Sequence, residues 1–163
     1  MSISRRQFLQ YIQAFNARDY ATQHSFYHHD VRLVIPDPEI GTLYGSGDIM
    51  SHYSIVHDMA EETVVPMIVL IGDDIVFFIM ETYFRYTKPT DQAVHGHKVQ
   101  AGDVIRVKVW ATYDMRDGKM LQITCNGLSD ELLGQIDVDK AIEDSWNRAD
   151  EKVKAEWKPK SFM

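Results

Sequence analysis

The 163-residue chain has a single cysteine, Cys125. No internal disulfide can form, and a reducing compartment, the cytoplasm, is expected. Basic blocks are missing as well: Lys152, Lys154, Lys158 and Lys160 are interleaved with acids and Trp157. With a net charge of −7, that argues against nucleic acid or an anionic membrane as a partner. Long apolar runs are absent. The richest windows, 64–71 (broken by Pro66) and 75–80, fall far short of the ~20 residues a membrane span needs. No apolar segment follows Arg5 and Arg6, so no secretory leader is expected. The stretch GTLYGSG lacks the lysine of a phosphate-binding loop. His28-His29 and His95-Gly96-His97 come without a carboxylate or cysteine at the spacing of a known metal motif. They are expected in surface loops, with no metal site.

What is present reads as one folded domain. Apolar residues make up 45% and charged residues 25%, a globular balance that excludes whole-chain disorder. Ser4 and Gln7 have capping-box spacing ahead of Phe8, Tyr11, Ile12 and Phe15, which predicts a helix to about Ala17. Asp19 can cap a second short helix through about Tyr27, and residues 30–35 read as a strand. Pro36, Pro38 and three glycines make an irregular crossing. Ser46 suits the N-cap of a third helix to about Ala60, with an inner stripe of Ile49, Tyr53, Val56 and Ala60 beside His57.

Strands follow over 63–71, 75–87, 104–114 and 119–128, with tight turns at Gly72-Asp73-Asp74 and Arg116-Asp117-Gly118. The polar stretch 88–102 is a longer connection. Asp137 then caps a helix whose stripe is Val138, Ile142, Trp146, Ala149, Val153 and Trp157. Helices first, an antiparallel meander next and one helix last define an α+β fold. Strand alternation sends Ile105, Val107, Val109, Ala111 and Tyr113 inward with Leu121, Ile123 and Cys125. Arg106, Lys108, Trp110, Thr112, Gln122 and Thr124 then form an outer face suited to a homodimer contact.

The segments FNARDY, FYHHDVRLVIPDP, GTLYGSGDIMSHY and VWATYDMRDGKMLQI resemble those of the SnoaL-like, nuclear transport factor two-like family, over about residues 5–128. Its members include polyketide cyclases, ketosteroid isomerases and scytalone dehydratase. The resemblance implies a cone: a bent antiparallel sheet wrapped around three N-terminal helices, here with an extra C-terminal helix. It divides the chain into a cone domain, 1–130, and a helical extension, 131–163, packing on the cone or on a partner subunit. The implied chemistry uses no cofactor. A side-chain acid or base moves a proton beside a carbonyl of a small hydrophobic or aromatic substrate. The implied activity is an isomerase, cyclase or dehydratase (a lyase) acting on a polyketide-type or terpenoid intermediate of secondary metabolism. The alternative is a non-catalytic ligand-binding or dimeric interaction module.

By this resemblance the oxyanion tyrosine of ketosteroid isomerase falls on Tyr11. Its basic aspartate falls on Ile35, with Asp37 two residues on, and its second acid falls near Val109. The strand histidine of the dehydratase falls near Ile79, and IDVDKAIEDSW resembles the acidic tail over its pocket. The residues themselves nominate His57 and Glu81 as acid–base groups beside Tyr11. His57 is a proton shuttle or a histidine favoured by the helix C-terminus. Glu81 is a general base with a raised pKa or an outer-face partner of Arg106 or Lys108. Phe15, Tyr53, Val107, Val109, Tyr113 and Ile123 are the expected substrate-lining residues, and Cys125 reads as a core thiol.

Overall fold

A computed structural model describes residues 3–162. Helix α1 (Arg5–Asn16) starts at the expected capping box: Ser4 Oγ accepts from the Gln7 N–H at 3.1 Å, and Gln7 Oε1 accepts from the Ser4 N–H at 2.9 Å. Asp19 caps α2 (Tyr20–Ser25), which stops short of Tyr27 because that residue already opens strand β1 (Tyr27–Val34). A short β2 (Thr42–Tyr44) precedes α3 (Gly45–Met59). The α3 N-cap is Tyr44 rather than Ser46; its N–H donates to Asp48 Oδ2 at 3.3 Å. Four long strands follow: β3 (Ala60–Ile71), β4 (Ile75–Tyr86), β5 (Val104–Arg116) and β6 (Lys119–Gly134). Asp117 and Gly118 both take left-handed φ (55° and 73°) and close the β5–β6 hairpin.

The six strands run in the order β2-β1-β6-β5-β4-β3. The meander β3 to β6 is antiparallel as expected, but β1 pairs with β6 in parallel, so the sheet is mixed. The β1–β6 pairing joins segments far apart in the chain, and local pattern carries no information on its direction. Register shifts at Pro66/Ile68 in β3 and at Lys108/Val109 in β5 bend the sheet.

Cross-strand partners share a face, so the register sorts the side chains. The concave face carries the rows Glu62–Phe84–Ile105, Val64–Thr82–Val107, Pro66–Met80–Val109 and Val69–Phe78–Ala111–Cys125. The row Ile71–Val76–Tyr113–Ile123 ends it. Helix α1 packs there: the Phe8 ring meets Phe78 at 5.0 Å and Tyr113 at 4.9 Å. It also holds the free edge of the sheet, because Asn16 brackets Val64 with two hydrogen bonds and Arg18 donates to the Glu62 carbonyl.

The extension crosses the opposite, convex face, and its residues 155–158 border a groove with Leu9, Gln10 and Gln13 of α1. Strand β6 continues to Gly134, past the expected division at residue 130. The expected single C-terminal helix is two, α4 (Val138–Arg148) and α5 (Glu151–Lys154), because Ala149 turns extended (ψ 159°) and Asp150 caps a new start. The apolar stripe survives the break: Ile142, Ala149, Val153 and Trp157 are all buried. Tyr83 Oη meets Ser145 Oγ at 2.6 Å and donates to the Ala141 carbonyl, which seats α4 on β4. Among the described residues, no helix is long and apolar enough to cross a membrane.

Candidate active site

The end of α3 and the start of β3 create one polar pair inside an apolar concavity. Tyr53 and His57, one helical turn apart, stack their rings at 5.6 Å. Phe15 of α1 sits edge-on to both, at 5.2 and 5.8 Å. At Ala60 the backbone becomes extended (φ −146°, ψ 148°), and strand alternation then turns Ala60, Glu62 and Val64 inward. His57 Nε2 and Glu62 Oε1 are 2.9 Å apart, with side chains only 10% and 8% exposed. Tyr20 Oη lies 3.5 Å from His57 Nδ1. A carboxylate only accepts, so the neutral tautomer with its hydrogen on Nε2 donates to Glu62 and leaves Nδ1 to accept from Tyr20. The second carboxylate oxygen, Glu62 Oε2, makes no hydrogen bond among the described residues, yet it is not sealed from solvent.

Tyr53 Oη is likewise unbonded and solvent-reached, although the residue is deeply enclosed. Burial first, and the Glu62 charge second, push its pKa well above the usual phenol range. Tyr53 is therefore a hydrogen-bond donor and not a base. Burial, helped by Glu62, pushes Tyr86 up to about 12 and Cys125 up to about 12, so the thiol stays protonated. Tyr53, Met80, Val109 and Cys125 all keep partly accessible surface.

The connection 88–103 folds over the same end. Val99 is fully buried with Phe84, Tyr86, Ile105 and Val107. A tight turn at His95-Gly96 lays the His95 ring 5.1 Å from Phe84, with His95 Nδ1 3.6 Å from Asp130.

Of the expected groups, the structure brings His57, Tyr53 and Phe15 together, with Val107 and Val109 on the facing sheet. Tyr11, Tyr113 and Ile123 lie in the closed, packed end. There Tyr11 Oη meets Tyr27 Oη at 3.0 Å, and Tyr27 Oη accepts from Gln23 Nε2. Burial above all, then the neighbouring Tyr27 and Tyr113, raise the Tyr11 pKa well above its usual range.

Glu81 is elsewhere. It faces the convex side opposite Lys108, accepts from Arg148 at 2.7 and 3.0 Å and from Ser145 at 2.6 Å, and belongs to the seat of α4. Burial alone would raise its pKa, but the bonds from Arg148 and Ser145 outweigh it and hold the carboxyl below its ordinary value, not above. Ile79 is also convex, and Asp37 caps an exposed turn through the Glu39 N–H. His28 and His29 stand on β1 rather than in a loop; with Asp30 their donor atoms lie within 4.8 Å of one another.

Glu62 is not among the expected site residues: the strand expected from Thr63 starts three residues earlier, at Ala60, and so takes in Glu62. The available signal was the close spacing of a histidine in a last helical turn and an acid at an inward strand position.

Residues 8–123 match the model of the SnoaL-like domain, and the chain belongs to that family. The comparison with curated proteins finds no match. Among solved structures, the chain is similar to a proposed polyketide cyclase from Xanthomonas campestris pv. campestris (19% identity, 83% of this chain and 90% of that one, TM-score 0.60). It is also similar to TerC co-crystallised with polyporic acid (19%, 75% and 88%, TM-score 0.58). A proposed ketosteroid isomerase from Kribbella flavida is a third (12%, 77% and 77%, TM-score 0.56). At these identities the likeness is one of fold.

Proposed function

We propose that the protein is a cofactor-independent isomerase or cyclase that moves a proton on a small, largely apolar carbonyl compound, with His57 and Glu62 as the acid–base pair. The observation that carries this reading is the enclosed 2.9 Å contact between His57 Nε2 and Glu62 Oε1 in an otherwise apolar concavity. Glu62 Oε2 takes the proton from a carbon beside the carbonyl. His57 holds the other carboxylate oxygen, and Tyr53 Oη donates to the oxygen on which enolate charge gathers. Returning the proton to a different carbon isomerises the substrate; attack by the enolate carbon on a second carbonyl closes a ring, and the new alkoxide takes the proton back from Glu62. Loss of a β-hydroxyl, the dehydratase outcome, starts from the same enolate, with that proton passing to the departing oxygen so that water leaves.

The substrate class is an aromatic polyketide-type or terpenoid intermediate of secondary metabolism, handled in the cytoplasm. The aromatic lining supports it, as does the neighbour co-crystallised with polyporic acid. A homodimer through the convex face completes the reading. There Trp110 lies against Phe77 at 5.8 Å and stays half-buried beside Thr112 and Thr124, beyond the part of the sheet that α4 covers.

The test is solvent exchange. Aryl 1,3-diketones and aryl ketones are incubated with the protein in D2O, and deuterium uptake at the α-carbon is followed by mass spectrometry. Uptake above the buffer rate supports the enzyme. Saturable binding of these probes with no uptake by any of them favours the ligand-binding module instead.

A further inference from the structure

We propose a second binding site, independent of the His57–Glu62 pair, that takes a small organic anion: an apolar or aromatic body bearing a carboxylate or phosphate. A recess of about 590 Å3 opens against β1, β2 and the β5–β6 hairpin. Its edge of the sheet is the one opposite to Glu62, since β2 and β3 are the two outermost strands. Arg32 and Arg116 both line it. By register Arg32 stands between Tyr44 of β2 and Gln122 of β6, while Arg116 ends β5.

Neither guanidinium has a hydrogen bond or ion pair among the described residues, whereas Arg18, Arg85, Arg106 and Arg148 each have an oxygen partner. The one carboxylate in the recess, Asp30, is engaged by His29 Nε2 at 3.2 Å. The recess therefore keeps a local surplus of positive charge in a chain of net charge −7. Two planar forks without a protein partner match the paired oxygens of carboxylate or phosphate. The apolar part of the ligand has its own surface. Half-buried Leu121 lines the recess, and Tyr44 leaves 64% of its surface exposed at the rim. The two arginines also disfavour a cation on the adjoining His28, His29 and Asp30 donors, since a metal ion there would add to like charge.

Benzoate, phenyl phosphate, inorganic phosphate and benzyl alcohol, titrated into the full-length protein at low salt, test the proposal. Calorimetry and the arginine Nε–H signals in NMR spectra report binding. The expected result is saturable binding of benzoate or phenyl phosphate that shifts those signals. Arg32→Gln and Arg116→Gln, exposed substitutions checked by melting temperature, should each weaken it about tenfold or more. His57→Ala should leave it unchanged, and benzyl alcohol and inorganic phosphate should bind at least about tenfold more weakly. Comparing the two aromatic anions names the head group. No saturable binding at millimolar probe, equal binding by the double arginine variant, or loss in His57→Ala alone would overturn the proposal. So would arginine variants that dissociate a dimer in sedimentation without altering probe binding, because the guanidiniums would then serve a second copy of the chain.

Discussion

His57 Nε2 stands 2.9 Å from Glu62 Oε1 although one side chain ends a helix and the other begins a strand. The contact depends on α3 stopping at Met59 and on Ala60 entering the strand at once, so that Glu62 falls on the inward parity. It also depends on the sheet edge being held still, since β3 is an outermost strand and has no strand beyond it.

The holding group is Asn16, and its removal is the first prediction. Asn16→Ala deletes two hydrogen bonds to the Val64 backbone, at 2.9 and 2.8 Å. A loss of about 1–3 kcal/mol is expected, because the edge groups must be resolvated or left partly unpaired. Amide exchange reads it site by site: the Val64 N–H should exchange faster than in the wild type, with the α4 amides little changed. Unaltered protection at Val64 would show that α1 does not brace the edge.

Glu81 gives a pH dependence of defined sign. Its folded-state pKa is held below the ordinary 4.5 by Arg148 and Ser145 against the opposing effect of burial. A depressed carboxyl stabilises the fold above its unfolded pKa, and that contribution fades as pH falls from 4.5 through the lower folded value. Glu81→Gln should lower the melting temperature at neutral pH and flatten its decline through that acid range, while leaving deuterium uptake intact. A variant as acid-sensitive as the wild type would remove Glu81 from the explanation.

The convex face supports a third expectation. Trp110→Glu places a charge amid Phe77, Ile79 and Thr112, where Trp110 pairs with Ile79 and Asn126 in the strand register. Light scattering should show a dimer for the wild type and a monomer for the variant at micromolar concentration. A wild-type monomer unchanged by the substitution would remove the dimer.

Much of this architecture is legible in the residues, and the exceptions have physical causes. The capping box at Ser4, the Asp19 and Asp137 caps and the Asp117-Gly118 turn are local devices, and the structure uses all of them. The inward set on β5 follows from its clean alternation of apolar and polar residues. Strand β4 has no such alternation: Phe78 and Phe84 face in while Phe77 and Tyr83 face out, so the side of Glu81 could not be read. Outward Tyr83 is buried only because α4 covers it, a contact between distant segments. The break at Ala149 was equally hidden, since spacings of three and four residues run unbroken across it. Glu62 falls in the three residues by which β3 starts earlier than the pattern indicates, and boundaries are where local pattern is weakest.

The central claim is that the His57–Glu62 pair moves the proton. The most direct measurement compares the rate of α-carbon deuterium uptake, on whichever probe the wild type exchanges fastest, between wild type and Glu62→Gln. The substitution keeps the shape of the side chain and removes its basicity. The expected rate falls by about 10²–10⁴-fold, with probe affinity retained and the melting temperature within a few degrees of wild type. A Glu62→Gln protein that stays folded and exchanges deuterium at the wild-type rate would contradict the claim.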